Sequence, residues 1–320
     1  MSAPSGTPSR ILLPGLVGMG AAFLAVLLAH GTGGILLWLA ALMAWLLLWL
    51  ANHHWSAVPE RAPTALARAG GIGIPFLFGF TLLFLWEVIC VGLKVPTVLL
   101  PPPSMIGARL MASLPTLGAD FVQTVIRAVI PGWIMGSLAG FLIALLCDRF
   151  GFLRRGLMPI GNFISALPII GIAPILVMWF GFDWQSKAAV VVVMTFFPML
   201  VNTVAGLASA GHLERDLMRS YGASWSRTLL ALRLPAAMPF IFNALKINAT
   251  LAMIGAIVAE FFGTPIVGMG FRISTEVGRM AVDMVWATIA IAAIAGSSFY
   301  ALLVLAERRV TFWHPSNRQK

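Results

Sequence analysis

Residues 214–239 read ERDLMRSYGASWSRTLLALRLPAAMP, the longest clearly polar stretch in the chain, wedged between two strongly apolar ones. Gly222 can close a short helix in the left-handed conformation, because it lacks the Cβ that penalises positive φ. Ser224 can cap a second helix that runs to Arg233. Pro235 is expected to stop that helix, and Pro239 suits the first turn of a new, apolar one. The stretch therefore reads as helix, sharp corner and helix, set outside the bilayer where another molecule can reach it.

The apolar flanks decide the rest. With 320 residues, 60% hydrophobic, 10% charged and a mean hydropathy of +0.94, the chain must be solvated by lipid. A net charge of +10 raises nucleic acid as a partner, but the cations sit in short gaps between apolar runs, so no nucleic-acid face is expected. Cys90 and Cys147 each lie inside an apolar run and read as buried packing residues, with no metal or redox role.

Apolar runs near the membrane-spanning length occur at 11–30, 34–51, 72–93, 121–147, 158–181, 188–209, 240–263 and 285–306, which predicts eight helices. The first resembles a secretory signal, yet the tight turn Gly31-Thr32-Gly33-Gly34 and an immediate second span predict an uncleaved hairpin. Placing the N-terminus in the cytoplasm puts fifteen basic residues inside, Arg215, Arg219, Arg227 and Arg233 among them. Only five lie outside (Lys94, Arg109, Lys187, Arg272, Arg279). Both termini are then cytoplasmic, as is the polar elbow, and Arg127 is left within a span.

The stretch 52–70, with Pro59 and Pro63, reads as a cytoplasmic linker between the hairpin 1–51 and a core. His53 and His54 are adjacent, about 100° apart on a helix, and read as interfacial residues; no metal site is expected. After Leu100-Pro101-Pro102-Pro103, Ser104 can cap an amphipathic helix with Ile106, Leu110, Leu114 and Leu117 on one face. Ile273, Val277, Met280, Ala281 and Met284 form a similar stripe opposite Arg272, Glu276, Arg279 and Asp283. Gly132, Gly136 and Gly140 make a doubled GxxxG ridge, either a seam within one subunit or the axis of a dimer.

Charges inside the spans are few. Glu87 is placed at an aqueous edge, Arg127 snorkels toward the outer interface, and Glu260 either lines a cavity or pairs with a cation. The polar residues Asn202, Thr203, Asn243, Asn248 and Thr250, together with Glu260, are the candidates for a translocation path. The competing role for them is interhelical hydrogen bonding. No catalytic constellation is visible: HExxH, GxSxG, CxxC and the phosphate-binding GxxxxGK[ST] are all absent.

The spacing of the elbow resembles the cytoplasmic "EAA" signature of ABC importer permeases: Asp216-Leu217-Met218, then Gly222, then Leu232-Arg233-Leu234-Pro235. The acid is shortened, both alanines are larger, and Leu stands where the pattern has Ile. With LLPPPS at 99–104, LPIIGIAPILVMWFGF at 167–182, FFPMLVNTVAG at 196–206 and RSYGAS at 219–224, the core 71–313 is similar to the permeases for nitrate, sulfonate, taurine and thiamine-pyrimidine precursors. The resemblance implies an all-α polytopic membrane protein with a type I importer core of six spans. The N-terminal hairpin and the cytoplasmic tail 314–320 lie outside that core.

It also implies a second permease copy, a cytoplasmic ABC ATPase that consumes the ATP, and a periplasmic substrate-binding protein, with no cofactor held by this chain. The elbow, 211–239, would dock on the ATPase through Arg215, Asp216, Met218, Arg219, Tyr221, Gly222, Ala223, Leu232, Leu234 and Pro235. The rival reading is a secondary, ion-coupled transporter, which calls for internal repeats and a mid-membrane ionisable site. A membrane-embedded enzyme would need a convergent acid, base or nucleophile.

Overall fold

The computed structural model describes residues 9–31, 34–57, 65–165, 167–263 and 266–313. Thr32 and Gly33 of the expected turn, Pro59 and Pro63 of the expected linker, and the tail 314–320 lie outside the described residues. Among the described residues every regular element is helical. In order these are α1 (Ser9–His30), α2 (Ile35–Ser56), α3 (Ala65–Gly92), α4 (Pro103–Ala112), α5 (Leu114–Phe121), α6 (Ile130–Arg149), α7 (Gly151–Ser165), α8 (Ile169–Phe180) and α9 (Trp184–Ala208). There follow α10 (His212–Ser220), α11 (Trp225–Thr228), α12 (Leu234–Glu260), α13 (Met269–Gly278) and α14 (Val282–Val310). Two π-helical segments, Val122–Val129 and Leu229–Arg233, join α5 to α6 and α11 to α12.

Among the described residues six stretches are long and apolar enough to cross a membrane: Ile35–Ser56, Gly70–Gly92, Leu114–Arg149, Trp184–Ala208, Trp225–Glu260 and Val282–Val310. Pro14–His30 and Ile169–Phe180 are apolar but shorter. The expected fifth span, 158–181, is thus corrected to two helices, α7 and α8. Pro168 is extended (φ −67°, ψ 120°) and a residue preceding proline is pushed out of the helical region, so the run breaks there. The expected linker 52–70 is also shorter, since α2 continues to Ser56 and α3 begins at Ala65.

Pro235 does not stop a helix. In both π segments the bonds that close the wide turn run from residue i to i−5, from Leu234 N–H to Leu229 O and from Ile130 N–H to Val125 O. In each case a proline follows at once, Pro235 or Pro131. The wide turn displaces the carbonyl that the proline ring would otherwise strike, so the helix passes through.

The described chain divides into two compact units, residues 1–112 with 280–284, and 113–279 with 285–320. In the first, alanines let α1 and α2 approach closely: Ala21, Ala22 and Ala25 share a core with Ala40, Ala41, Ala44 and Leu48, and α3 adds Leu77, Phe84 and Val88. His53 stacks on Trp49 with ring centroids 5.7 Å apart. Glu87 is buried, not set at an aqueous edge. Its carboxylate accepts the Ser104 N–H at 2.9 Å and the Ser104 O–H at 2.7 Å, so Glu87 caps α4 in place of Ser104.

In the second unit α9 is the central helix, packed by α6 on one side and α12 on the other. The glycine ridge forms the α6 seam inside the subunit. A Cβ at Gly132 would lie 2.6 Å from Val191 Cβ, one at Gly136 would overlap Thr195 Oγ1, and one at Gly140 would overlap the Phe196 carbonyl. Cys147 is a free thiol buried in this unit and Cys90 one buried in the first. The stripe expected on 271–284 fails at one pair in α13: Val277 is exposed while Glu276 is buried, its carboxylate paired with Arg272 and Arg279 at 3.7 and 3.3 Å.

Candidate functional site

The elbow is built as the sequence predicts up to its corner. Gly222 has φ +66°, Ala223 N–H donates to Met218 O at 3.0 Å, and Gly222 N–H donates to Arg219 O at 3.0 Å, the two bonds of a Schellman cap. Ser224 Oγ then accepts Arg227 N–H at 3.3 Å and starts α11. Acidic Glu214 sits in the first turn of α10 and Arg219 in the last, both favourable to the helix dipole.

No residue of α10 is buried. Leu213 (83% exposed), Leu217 and Tyr221 (81% exposed) recur every four residues and make one apolar ridge on its outer surface. Asp216, Arg219 and Gly222 are exposed beside it; Met218 and Ala223 are half-buried. Leu232, Leu234 and Pro235 are also half-buried, in the stretch that joins α11 to α12.

Arg215 turns inward, away from the surface on which the sequence reading places it. Its Nε donates to Ala210 O at 2.9 Å and its Nη2 to Ala208 O at 3.0 Å, satisfying carbonyls that the end of α9 leaves open. A second clamp lies behind it. Arg233 forks onto Asp148 with Nη1–Oδ2 at 2.7 Å and Nη2–Oδ1 at 2.5 Å, while its Nε donates to Leu207 O at 3.0 Å. Trp225 Nε1 also reaches Asp148 Oδ2 at 3.3 Å, and Arg149 stacks over the Trp225 ring at 5.1 Å. A bidentate, mostly buried pair with further donors fixes geometry as well as charge. The exposed helix therefore stands on a base that ties α6, α9 and α12 together.

The polar residues proposed for a path separate into two groups. Asn248 is fully buried, its Nδ2 donating to Ser137 Oγ at 2.9 Å and to Thr195 O at 2.8 Å, so it joins α6, α9 and α12. Thr203 is also fully buried. Asn202 Nδ2 donates to Pro198 O at 2.8 Å, and Asn243, which is exposed, reaches Asn202 Oδ1 at 3.4 Å. Thr250 is exposed and lines a groove of about 380 Å³ between α12 and α14, with Met253, Gly296, Ser297 and Tyr300. Asn243 and Thr250 share the uncovered face of α12 with Phe240, Ile247 and Ile254.

Glu260 is 2% exposed and belongs to neither group. Its carboxylate accepts Thr124 O–H at 2.8 Å and Gly270 N–H at 2.6 Å, while Thr124 Oγ1 accepts Met269 N–H at 2.8 Å. Fully buried Asp120 takes Gly268 N–H at 2.8 Å and Arg272 Nε at 2.8 Å. That hydrogen bond raises the Arg272 guanidinium further above its ordinary value, so the cation is permanent. This clasp fixes the 266–268 loop and the first turn of α13 at the far end of α12 from the elbow. Asp120, Asp148 and the inward course of Arg215 and Arg233 escaped the sequence reading; acids placed immediately outside the two ends of the apolar run 121–147 were the available signal.

Comparison with known proteins sharpens this picture. Residues 132–312 match the family model described as binding-protein-dependent transport system inner membrane component. A probable ABC transporter permease protein of Haemophilus influenzae is 31% identical over 217 residues, 68% of this chain and 88% of the relative. The formylaminopyrimidine transport permease protein ThiX of Halalkalibacterium halodurans is 32% identical over 189 residues, 59% of this chain and 75% of its own length. The taurine transport system permease protein TauC of Escherichia coli is 26% identical over 243 residues, 73% and 86% of the two chains.

Proposed function

Since the chain belongs to the binding-protein-dependent transport system inner membrane component family, we propose that it carries a small solute inward while a separate ABC ATPase hydrolyses the ATP. A periplasmic binding protein delivers the solute, and a second copy of the chain completes the pathway. The elbow faces the cytoplasm in this reading, as do both termini. The solute is of the size class named for the relatives, of which formylaminopyrimidine and taurine are two.

The observation that carries this reading is the contrast within the elbow. Its ridge of Leu213, Leu217 and Tyr221 is bare, while its base is pinned by Arg215 and Arg233. A bare apolar ridge on a polar helix needs a partner, and a pinned base passes the partner's displacement to α6, α9 and α12. Asn243 and Thr250, on the uncovered face of α12, are the path residues this reading retains.

The test is reconstitution in vesicles with and without an ABC ATPase that co-purifies with this chain. Uptake that requires the ATPase and ATP supports the reading. Uptake driven by an ion gradient with this chain alone would replace it with a secondary transporter.

A further inference from the structure

Three cations inside the membrane-crossing helices are answered from within the protein. Arg233 has Asp148, Lys246 Nζ has Glu307 Oε2 at 2.7 Å, and Lys187 Nζ has the Phe182 carbonyl at 2.5 Å. Arg127 differs. Among the described residues its one hydrogen bond is Nη1 to Gln123 Oε1 at 3.2 Å, and it forms no ion pair. A guanidinium offers five N–H donors in a planar fork, so most of its donors are unused. Arg127 is exposed on its helix, so its unused donors are open to a counter-charge or to water from outside.

The surroundings leave room for one. Arg127 and Gln123 line a cleft of about 500 Å³ together with Gly118, Ala119, Val122 and Asp183. The wall at Gly118 is open, with nothing within 4 Å of where a Cβ would stand. Gln123 and Arg127 are four apart on one helix face, which sets the Gln123 amide against the guanidinium. The Gln123 oxygen accepts from Arg127, leaving its amide nitrogen as a further donor. Asp183 Oδ1 accepts Trp184 N–H at 2.8 Å at the start of α9, where a carboxylate complements the helix dipole, and the residue is exposed, so solvent screens its charge from the cleft.

We propose that Arg127 and Gln123 form a subsite for an oxyanionic group, a sulfonate, carboxylate or phosphate, brought by a small solute or by a lipid headgroup. The fork takes two of its oxygens side by side and the amide supports one of them. The subsite goes beyond the importer reading and stands on the membrane placement of 114–149 alone. It is therefore measured on the isolated chain, where the failure of ATP-driven uptake would not touch it.

The full chain in dodecyl maltoside is titrated with sodium methanesulfonate at constant ionic strength, following amide hydrogen exchange over 118–129. Saturable slowing is expected, with Arg127→Gln weakening the apparent affinity by about tenfold or more and Arg127→Lys by less, since an ammonium keeps the charge without the fork. Gln123→Leu, similar in volume, is expected to weaken it by about threefold. The amides of Met269 and Gly270, held by Thr124 and Glu260, report that each variant keeps its fold. Slowing seen only in nanodiscs of phosphatidylglycerol, absent in galactolipid nanodiscs and lost in Arg127→Gln, assigns the subsite to a lipid phosphate and also supports the proposal. Equal slowing by neutral dimethyl sulfone, or wild-type behaviour of Arg127→Gln in both arms, overturns it.

Discussion

The two ends of the second unit use polar residues in opposite ways. At the elbow, α10 keeps its whole length in solvent and only Arg215, Arg233 and Asp148 turn inward. At the far end, Asp120, Thr124, Glu260 and Arg272 close on the loop before α13, and Asp120, Thr124 and Glu260 are almost wholly buried. A helix that buries nothing is held by its attachments and is free to be gripped from outside. A loop whose amides are taken up by buried carboxylates can only move if those bonds break. On the proposed reading one end receives a displacement, while the other keeps its shape.

The largest effect should come from the base of the elbow. Asp148→Ala strands the Arg233 guanidinium, and leaving one partner of a buried pair alone costs about 3–5 kcal/mol. A large drop in the thermal midpoint of the purified chain is the expected readout; a midpoint near wild type would mean that the elbow has no rigid base. Next, Glu260→Gln keeps one acceptor but sets an amide N–H₂ against donors from Thr124 and Gly270. It should cost about 1–3 kcal/mol, with faster exchange at Met269 and Gly270 and no change along α10.

Gly222→Val should cost about 1–2 kcal/mol locally, because a β-branched residue is forced to φ +66° at a corner with no neighbours to crowd it. Its membrane level should be normal and its ATP hydrolysis in the complex retained, with uptake lost; normal uptake would detach the corner from coupling. The smallest structural effect is expected for Thr250→Val, within about 0.5 kcal/mol, since the side chain is exposed. A change in uptake without a change in stability would put Thr250 on the path, whereas unchanged uptake removes it.

Local chemistry was legible and partnership at a distance was not. The Gly222 corner and the Ser224 cap follow from residues within a few positions of each other, and both are formed. The glycine ridge was legible as a face of close approach, but whether it met α9 in the same subunit or a second copy was not. Arg233 and Asp148 lie 85 positions apart, and Arg272 and Asp120 lie 152 apart, so periodicity carries no trace of either pair. Pro235 misled because its helix-breaking character was read without the π turn that accommodates it. Polarity alone could not separate Asn248, locked between helices, from Thr250 beside a groove.

The most direct measurement is labelling of Leu217→Cys with a membrane-impermeant maleimide. Native Cys90 and Cys147 are buried and give little background. Labelling from the cytoplasmic side alone, blocked when the ATPase is bound, is the expected result. Labelling from the outer side, or labelling that the bound ATPase leaves unchanged, would contradict a docking ridge on α10.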